Sequence, residues 1–433
     1  MLRRLDLRGI TGDLTAQLPR PDVDGDDVTA VVRGVLQEVR SGGDDALREL
    51  TLRFDGVELE AIRVPPEDIA RALEGLEPEV RAALELAADR IASYHRTQLR
   101  ETVTYADGGA TIRSFDVPVD RVGCYVPGGR AAYPSTLLMT AVPARVAGVA
   151  QVVVVVPPDR MTGKVVDVTL AAAAIAGVDE VYAVGGAQAI AALAYGTESI
   201  RPVDVICGPG NKYVAIAKRE VAGSVGIAAA FAGPSEIVVV ADGSVDPDLV
   251  AIDLIVQAEH GPDGLAWLVT WDEAVVGSVD ESIEQLLELA PRRDEIESTL
   301  ATAGYAVLVE SPERAIDVAN GIAPEHLQLL MANPWPVLPR VRNAGATFVG
   351  QWSPASVGDY IAGPSHVLPT HGTARFSSAL TVADFVKHHH IVELSTDGLA
   401  QLGPHVIALA DAEGLDAHAQ SIRLRLDRLG EPT

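Results

Sequence analysis

At 433 residues and 48% hydrophobic side chains, the chain is long enough for about two to four domains with sizeable buried cores. Its formal charge of −26 repels phosphate backbones and excludes a nucleic-acid-binding role. Two cysteines are too few for a disulfide framework or a thiolate zinc cage, and no apolar run approaches the roughly 20 residues of a membrane span.

The opening MLRRLDLRGITGD carries arginines but no apolar stretch, so a secretory signal is not expected and a cytoplasmic location is the default. The first hundred residues read as helices. Asp24 to Asp27 offer caps for VTAVVRGVLQEVR, which Gly42 and Gly43 end. PPEDIARALEGL and PEVRAALELAADRIASYHRTQL follow, each opened by proline in a first-turn position.

From Thr111 to about Ser235, β-branched runs such as QVVVVVPP, VDEVYAV and VDVICGPG alternate with helical patterns. Continuous apolar strands separated by helices signal a parallel sheet covered on both faces, a doubly wound Rossmann-like unit. After Asp242 the alternation resumes through PDLVAIDLIVQAEH, LAWLVTW, ESIEQLLELA, YAVLVES and PERAIDVANG, giving a second α/β unit. Residues 377–433 form short elements and a basic amphipathic end, too small to fold alone. The expected organisation is residues 1–125 with 236–376 as a discontinuous α/β domain, 126–235 as a Rossmann-like domain, and 377–433 as a tail that docks on something else, a second subunit being one candidate.

Three strand ends of the first unit carry glycine turns: VPGG at 126–129, VGGAQ at 184–188 and GPGN at 208–211. None is a GxGxxG fingerprint followed by an acidic residue about 20 positions on. Together they point to a nucleotide crevice at the carboxyl ends of the strands, where Tyr125, Gln188 and Asn211 can orient a ribose or a nicotinamide.

Gln257 and His260 are three apart at the end of an apolar helix, hence on one face and within reach of one atom; a metal site and a helix cap both explain them. Glu325 and His326 adjoin each other in IAPEHLQLL, read as a helix beginning after Pro324; a carboxylate beside an imidazole suits shared proton transfer. The segment 356–378 is dense in Gly, Pro, Ser and Thr yet carries Asp359 and His366, a loop of the kind that is usually functional. The histidine run at 388–390 reads as surface histidines, and Cys124 and Cys207 are assigned no chemistry.

Several long motifs occur in order: YVPGG (125–129), GGAQAIAALAYGTES (185–199), GPGNKYV (208–214), GPSEIVVVAD (233–242), QAEHGPD (257–263), APEHLQL (323–329), GDYIAGPSHVLPT (358–370) and EGLDAHAQSIRLR (413–425). Over essentially its whole length the chain resembles the histidinol dehydrogenase family, zinc- and NAD-dependent enzymes that end histidine biosynthesis. The resemblance implies oxidation of L-histidinol through L-histidinal to L-histidine with two NAD. It implies one zinc per subunit, held by Gln257, His260, Asp359 and His418, the last lent by the neighbouring subunit of a domain-swapped homodimer with shared active sites. It implies Glu325 and His326 as the proton-transfer pair. Ser235, Gln257, His260, His326, Asp359, His366, Glu413 and His418 are implied around the substrate, and Tyr125, Gln188 and Asn211 at NAD. One departure is Ser365, where the family commonly has Asn beside His366. The alternative is a dehydrogenase on the same scaffold acting on another alcohol such as sulfopropanediol. That anion calls for extra Arg or Lys, and none is added around 356–370 or 410–420.

Overall fold

The computed structural model describes residues 2–19, 26–129, 131–178, 180–228, 235–259, 261, 264–288 and 290–429. The chain opens with strand β1 (Arg3–Asp6), followed by helices α1 (Asp26–Asp55), α2 (Pro66–Glu74) and α3 (Pro78–Arg96). The α1 helix bends at Gly43, whose φ of 55° and ψ of −135° are not helical, a conformation glycine adopts without a Cβ penalty. A hairpin of β2 (Val103–Asp107) and β3 (Ala110–Pro118) comes next. The alternating region then runs β4 (Arg121–Tyr125), α4 (Pro134–Val146), β5 (Gln151–Val155), α5 (Asp167–Ile175) and β6 (Glu180–Tyr182). It continues through α6 (Gly186–Tyr195), β7 (Val205–Cys207), α7 (Lys212–Val221) and β8 (Gly226–Ile227).

A second alternation follows: β9 (Glu236–Ala241), α8 (Pro247–Ala258), β10 (Leu265–Thr270), α9 (Glu273–Leu287), α10 (Arg293–Ala303) and β11 (Gly304–Leu308). Then come α11 (Pro312–Ile322), β12 (His326–Leu330), β13 (Ala346–Val349) and α12 (Ala355–Tyr360). The chain finishes with β14 (Val386–Leu394), α13 (Thr396–Ala412) and α14 (Asp416–Leu429). Among the described residues no helix is long and apolar enough to cross a membrane.

Two compact units result, residues 1–97 with 120–385, and residues 98–119 with 386–433. The larger is an α/β unit with two parallel sheets, ordered β6-β5-β4-β7-β8 and β1-β11-β10-β9-β12-β13. In the five-stranded sheet the chain starts at the central β4, builds outward on one side and returns to build the other; in the six-stranded sheet β1 stands at an edge and the same pattern starts from β9. Switch points fall between β4 and β7 and between β9 and β12.

The second sheet shows why its strands read as unbroken apolar runs. Ile237, Val239 and Leu268 pack on one face with Leu254, Val276 and Leu300. Val238, Val240 and Trp267 pack on the other with Ile316, Ala319 and Leu327. Successive side chains of a strand point to opposite faces, so covering both faces demands apolar residues at every position. Each such Val, Leu or Ile contributes about 1.5–3 kcal/mol on burial.

The smaller unit is an antiparallel sheet ordered β14-β3-β2 with α13 and α14. Residues 110–118, expected at the start of the first parallel unit, pair instead with Val386–Leu394. Their mixed burial differs from that of the wholly buried β4. His388 to His390 lie on exposed β14, where His388 Nδ1 meets Asp116 Oδ1 at 2.9 Å.

Candidate active site

At the switch point of the five-stranded sheet, the three glycine turns border one cavity of about 420 Å³, lined by Tyr125, Gly128, Gly129, Gly186, Gln188 and Asn211 among others. Gly208 makes the close approach possible: its φ is 107°, and a Cβ there would collide with the Tyr125 carbonyl. The Tyr125 hydroxyl accepts from the Gly186 N–H at 3.2 Å; burial pushes its pKa up to about 12, so it stays a neutral phenol. Asn211 caps α7, its Oδ1 accepting from the N–H groups of Tyr213 and Val214 at 3.1 Å each. Gln188 is 1% exposed, and its Nε2 has no hydrogen-bond partner among the described residues. Such a donor costs free energy until a ligand takes it.

Cys124 and Cys207 face each other on paired strands, Sγ to Sγ 3.6 Å, both buried. Behind them the ammonium of Lys218, fully buried, donates to the Gly208 carbonyl, and burial lowers its pKa to about 8.

Glu325 and His326 do not sit on a helix. The α11 helix stops at Ala323, whose φ of 51° and ψ of 60° are left-handed, and the residue ahead of a proline is barred from continuing it. His326–Leu330 is then a strand buried throughout, paired with both β9 and β13. HLQLL carries apolar residues at positions that serve either period, so the helical reading of Pro324 as a first-turn residue was as compatible with the pattern. The consequence is positional: Glu325 and His326 stand at the amino edge of the six-stranded sheet, beside Ser235 and Glu236 at the start of β9.

There the Ser235 hydroxyl donates to Glu325 Oε2, which also accepts the Glu236 N–H at 3.3 Å. The carboxylate stands 3.8 Å from His326 Nδ1, and His326 Nε2 stands 3.3 Å from Asp359 Oδ1. Burial drives the Glu325 pKa up, against the pull of His326 and of Ser235. For His326, burial alone would lower the pKa, but the carboxylates of Glu325 and Asp359 outweigh it and the net shift is upward. Both shifts are upward, so each group holds a proton more tightly than its free counterpart does, which suits a proton acceptor as its pKa nears the working pH.

Asp359 lies on α12, and its backbone carbonyl accepts from His366 Nδ1 at 2.7 Å. That bond makes Nδ1 the protonated nitrogen, so Nε2 accepts from the Thr136 hydroxyl at 3.0 Å. Thr136 opens α4, and nothing in its sequence surroundings marks it. Ser365 is buried and donates to the Met139 carbonyl at 3.0 Å, which ties the same loop to α4.

Gln257 occupies the last turn of α8, 3% exposed, with Nε2 unpartnered among the described residues. An amide turned end for end would offer its oxygen at the same unfilled position. His260 lies outside the described residues. Glu413, the C-cap of α13, and His418, on α14, are exposed and belong to the smaller unit. Among the described residues, no group of three or more His, Cys, Asp and Glu is placed to hold a metal ion. The zinc donors expected from sequence are an amide, two imidazoles and a carboxylate, a set that suits zinc's mixed nitrogen and oxygen preference. The orphaned Gln257 amide fits a cation that would accept it.

Fold and site define the class: an α/β protein with a strand-end crevice and a separate buried carboxylate–imidazole pair. A sequence profile described as histidinol dehydrogenase matches residues 18–426. The chain is 48% identical to the histidinol dehydrogenase of Rhizobium meliloti strain 1021 over 409 residues, 94% of this chain and 93% of that one. It is 50% identical to the histidinol dehydrogenase of Pseudomonas putida over 408 residues, 93% and 92% of the two chains. The crystal structure of histidinol dehydrogenase from Elizabethkingia anophelis superposes with a TM-score of 0.93 at 33% identity, covering 99% of each chain. The chain belongs to the histidinol dehydrogenase family.

Proposed function

We propose that the protein oxidises L-histidinol through L-histidinal to L-histidine with two NAD, in the cytoplasm, as a homodimer whose active sites are shared. The observation that carries this reading is the run Ser235–Glu325–His326–Asp359, in which a carboxylate of raised pKa is held against an imidazole between two further polar groups. An alcohol-to-acid oxidation needs two deprotonations of different atoms, and two adjacent bases of different kind meet that need.

Zinc would be held by Gln257, His260, Asp359 and His418, and the orphaned Gln257 amide supports that assignment. When bound, the ion supplies Lewis acidity and an anchor for the substrate's amine and imidazole. The chain's own residues do the proton work. His326 accepts the hydroxyl proton as the carbinol carbon gives up hydride. Glu325, steadied by the Ser235 hydroxyl, then takes a proton from the water that attacks the aldehyde carbon. The proton His326 gained passes to the aldehyde oxygen as the hydroxide adds, and His326 then accepts one from the resulting hydrate as the second hydride leaves. His366, fixed by Thr136 and by the Asp359 carbonyl, lines the substrate with Ser235. Tyr125, Gln188 and Asn211 orient the dinucleotide in the strand-end cavity.

Support for the dimer comes from the smaller unit, which exposes Val103, Val392 and Leu409 at 62%, 62% and 67%. Apolar residues this bare in a unit this small favour cover by a second chain. Glu413 and His418 would then serve the partner's site. The test is initial-rate NADH formation on L-histidinol set against 2,3-dihydroxypropanesulfonate. Turnover of the imidazole substrate alone is expected; turnover of the sulfonate alone would overturn the reading.

A further inference from the structure

We propose that Asp55 selects the form of the dinucleotide: its carboxylate accepts the two hydroxyls of the adenosine ribose and repels a 2′-phosphate, so the crevice takes NAD and rejects NADP. The inference rests on reading the strand-end cavity as the NAD site.

Asp55 is the last residue of α1 and lines that cavity with Tyr125 and Gln188. A carboxylate is the wrong charge for a helix C-terminus, where the macrodipole favours a cation; Arg53, in the same turn, is the usual choice. Asp55 Oδ2 is moreover buried and has no hydrogen-bond partner among the described residues. Burial raises its pKa, and only the charge of Arg160 opposes that. A buried acceptor without a donor is costly to folding and is retained where a ligand repairs it. Two side chains of the cavity lining therefore carry a buried polar atom without a partner among the described residues, the acceptor Asp55 Oδ2 and the donor Gln188 Nε2.

A vicinal diol is the chemistry that fits the acceptor, since both hydroxyls donate to one carboxylate. Phe54, 42% exposed, and the α1 valines Val32 and Val35 line the same cavity; they offer an apolar wall for the adjoining adenine. Arg160 also lines it, and its guanidinium donates at 3.5 Å to the Phe54 carbonyl. Beside an ionised Asp55 that cation is balanced. Without the carboxylate it would face a 2′-phosphate directly.

The test measures binding of NAD and of NADP to the full-length protein by isothermal titration calorimetry, without substrate. The wild type is expected to hold NAD at least tenfold more tightly than NADP. Asp55→Asn should shrink that ratio tenfold or more, chiefly by strengthening NADP, and Asp55→Ser should move it in the same sense. Adding Arg160→Ala to Asp55→Asn should abolish the NADP gain. An unchanged ratio in both Asp55 variants, with thermal melts like the wild type, would overturn the inference while leaving the NAD reading intact. A wild type that binds histidinol but neither dinucleotide would overturn the NAD reading and the inference with it.

Discussion

Asp253 offers a stability prediction that can be worked through from the structure. It lies on α8 one turn before Gln257, 8% exposed, and its Oδ2 accepts from Gln328 Nε2 at 2.8 Å. Gln328 stands two residues along β12 from His326 and is itself buried, its Oε1 unpartnered among the described residues. Burial pushes the Asp253 pKa from 3.8 up to about 6, against the pull of the Gln328 hydrogen bond. The folded state therefore holds this proton to higher pH than the unfolded chain does. Between about pH 4 and pH 6 the unfolded state binds fewer protons, so stability falls as pH rises through that window and stays lower above it. At about 1.4 kcal/mol for each tenfold change in proton affinity, the full cost is about 3 kcal/mol at pH 8 and about half that at pH 5.

Asp253→Asn removes the ionisation at nearly constant shape, and its amide can donate to the orphaned Gln328 Oε1. Urea unfolding at the two pH values is the assay. The variant should exceed the wild type in stability by about 1–3 kcal/mol at pH 8, with the advantage smaller by about 1.4 kcal/mol at pH 5. An equal effect at both pH values, or a less stable variant at pH 8, would refute the argument that this carboxyl carries a buried-charge penalty.

Glu325→Gln should lower the rate of histidinal oxidation by about 10²–10⁴-fold while sparing histidinol oxidation, read by presenting each compound separately with NAD; equal loss on both would contradict the water-activating role. Gln257→Ala and His418→Ala, each inactive alone, should recover about a quarter of wild-type activity when mixed one to one with subunit exchange, because half the dimers are then mixed and each keeps one intact site. No recovery despite proven exchange would contradict the sharing of sites.

The parallel sheets were legible because burial on both faces forces runs such as QVVVVV and EIVVVA, a pattern few other structures require. The glycine turns were legible for a related reason, since Gly208 must admit the Tyr125 carbonyl where no Cβ fits. The helix expected after Pro324 is a strand whose apolar pattern serves either period; pairing with β9, some ninety residues earlier, and with β13, some twenty residues later, decided it. Residues 110–118 were likewise assigned by their partner, β14. The partners of His366 and the Asp55 side of the crevice were hidden for a third reason. Thr136 and Asp55 have ordinary neighbours in sequence, and only the folded chain brings them to His366 and to Tyr125.

The measurement that bears most directly on the central claim is the number of NADH formed for each L-histidinol consumed to completion. Two hydrides must leave if one pair of bases, Glu325 and His326, carries alcohol to acid, so the account predicts two NADH with L-histidine as the product. One NADH, with histidinal accumulating in the presence of excess NAD, would contradict it.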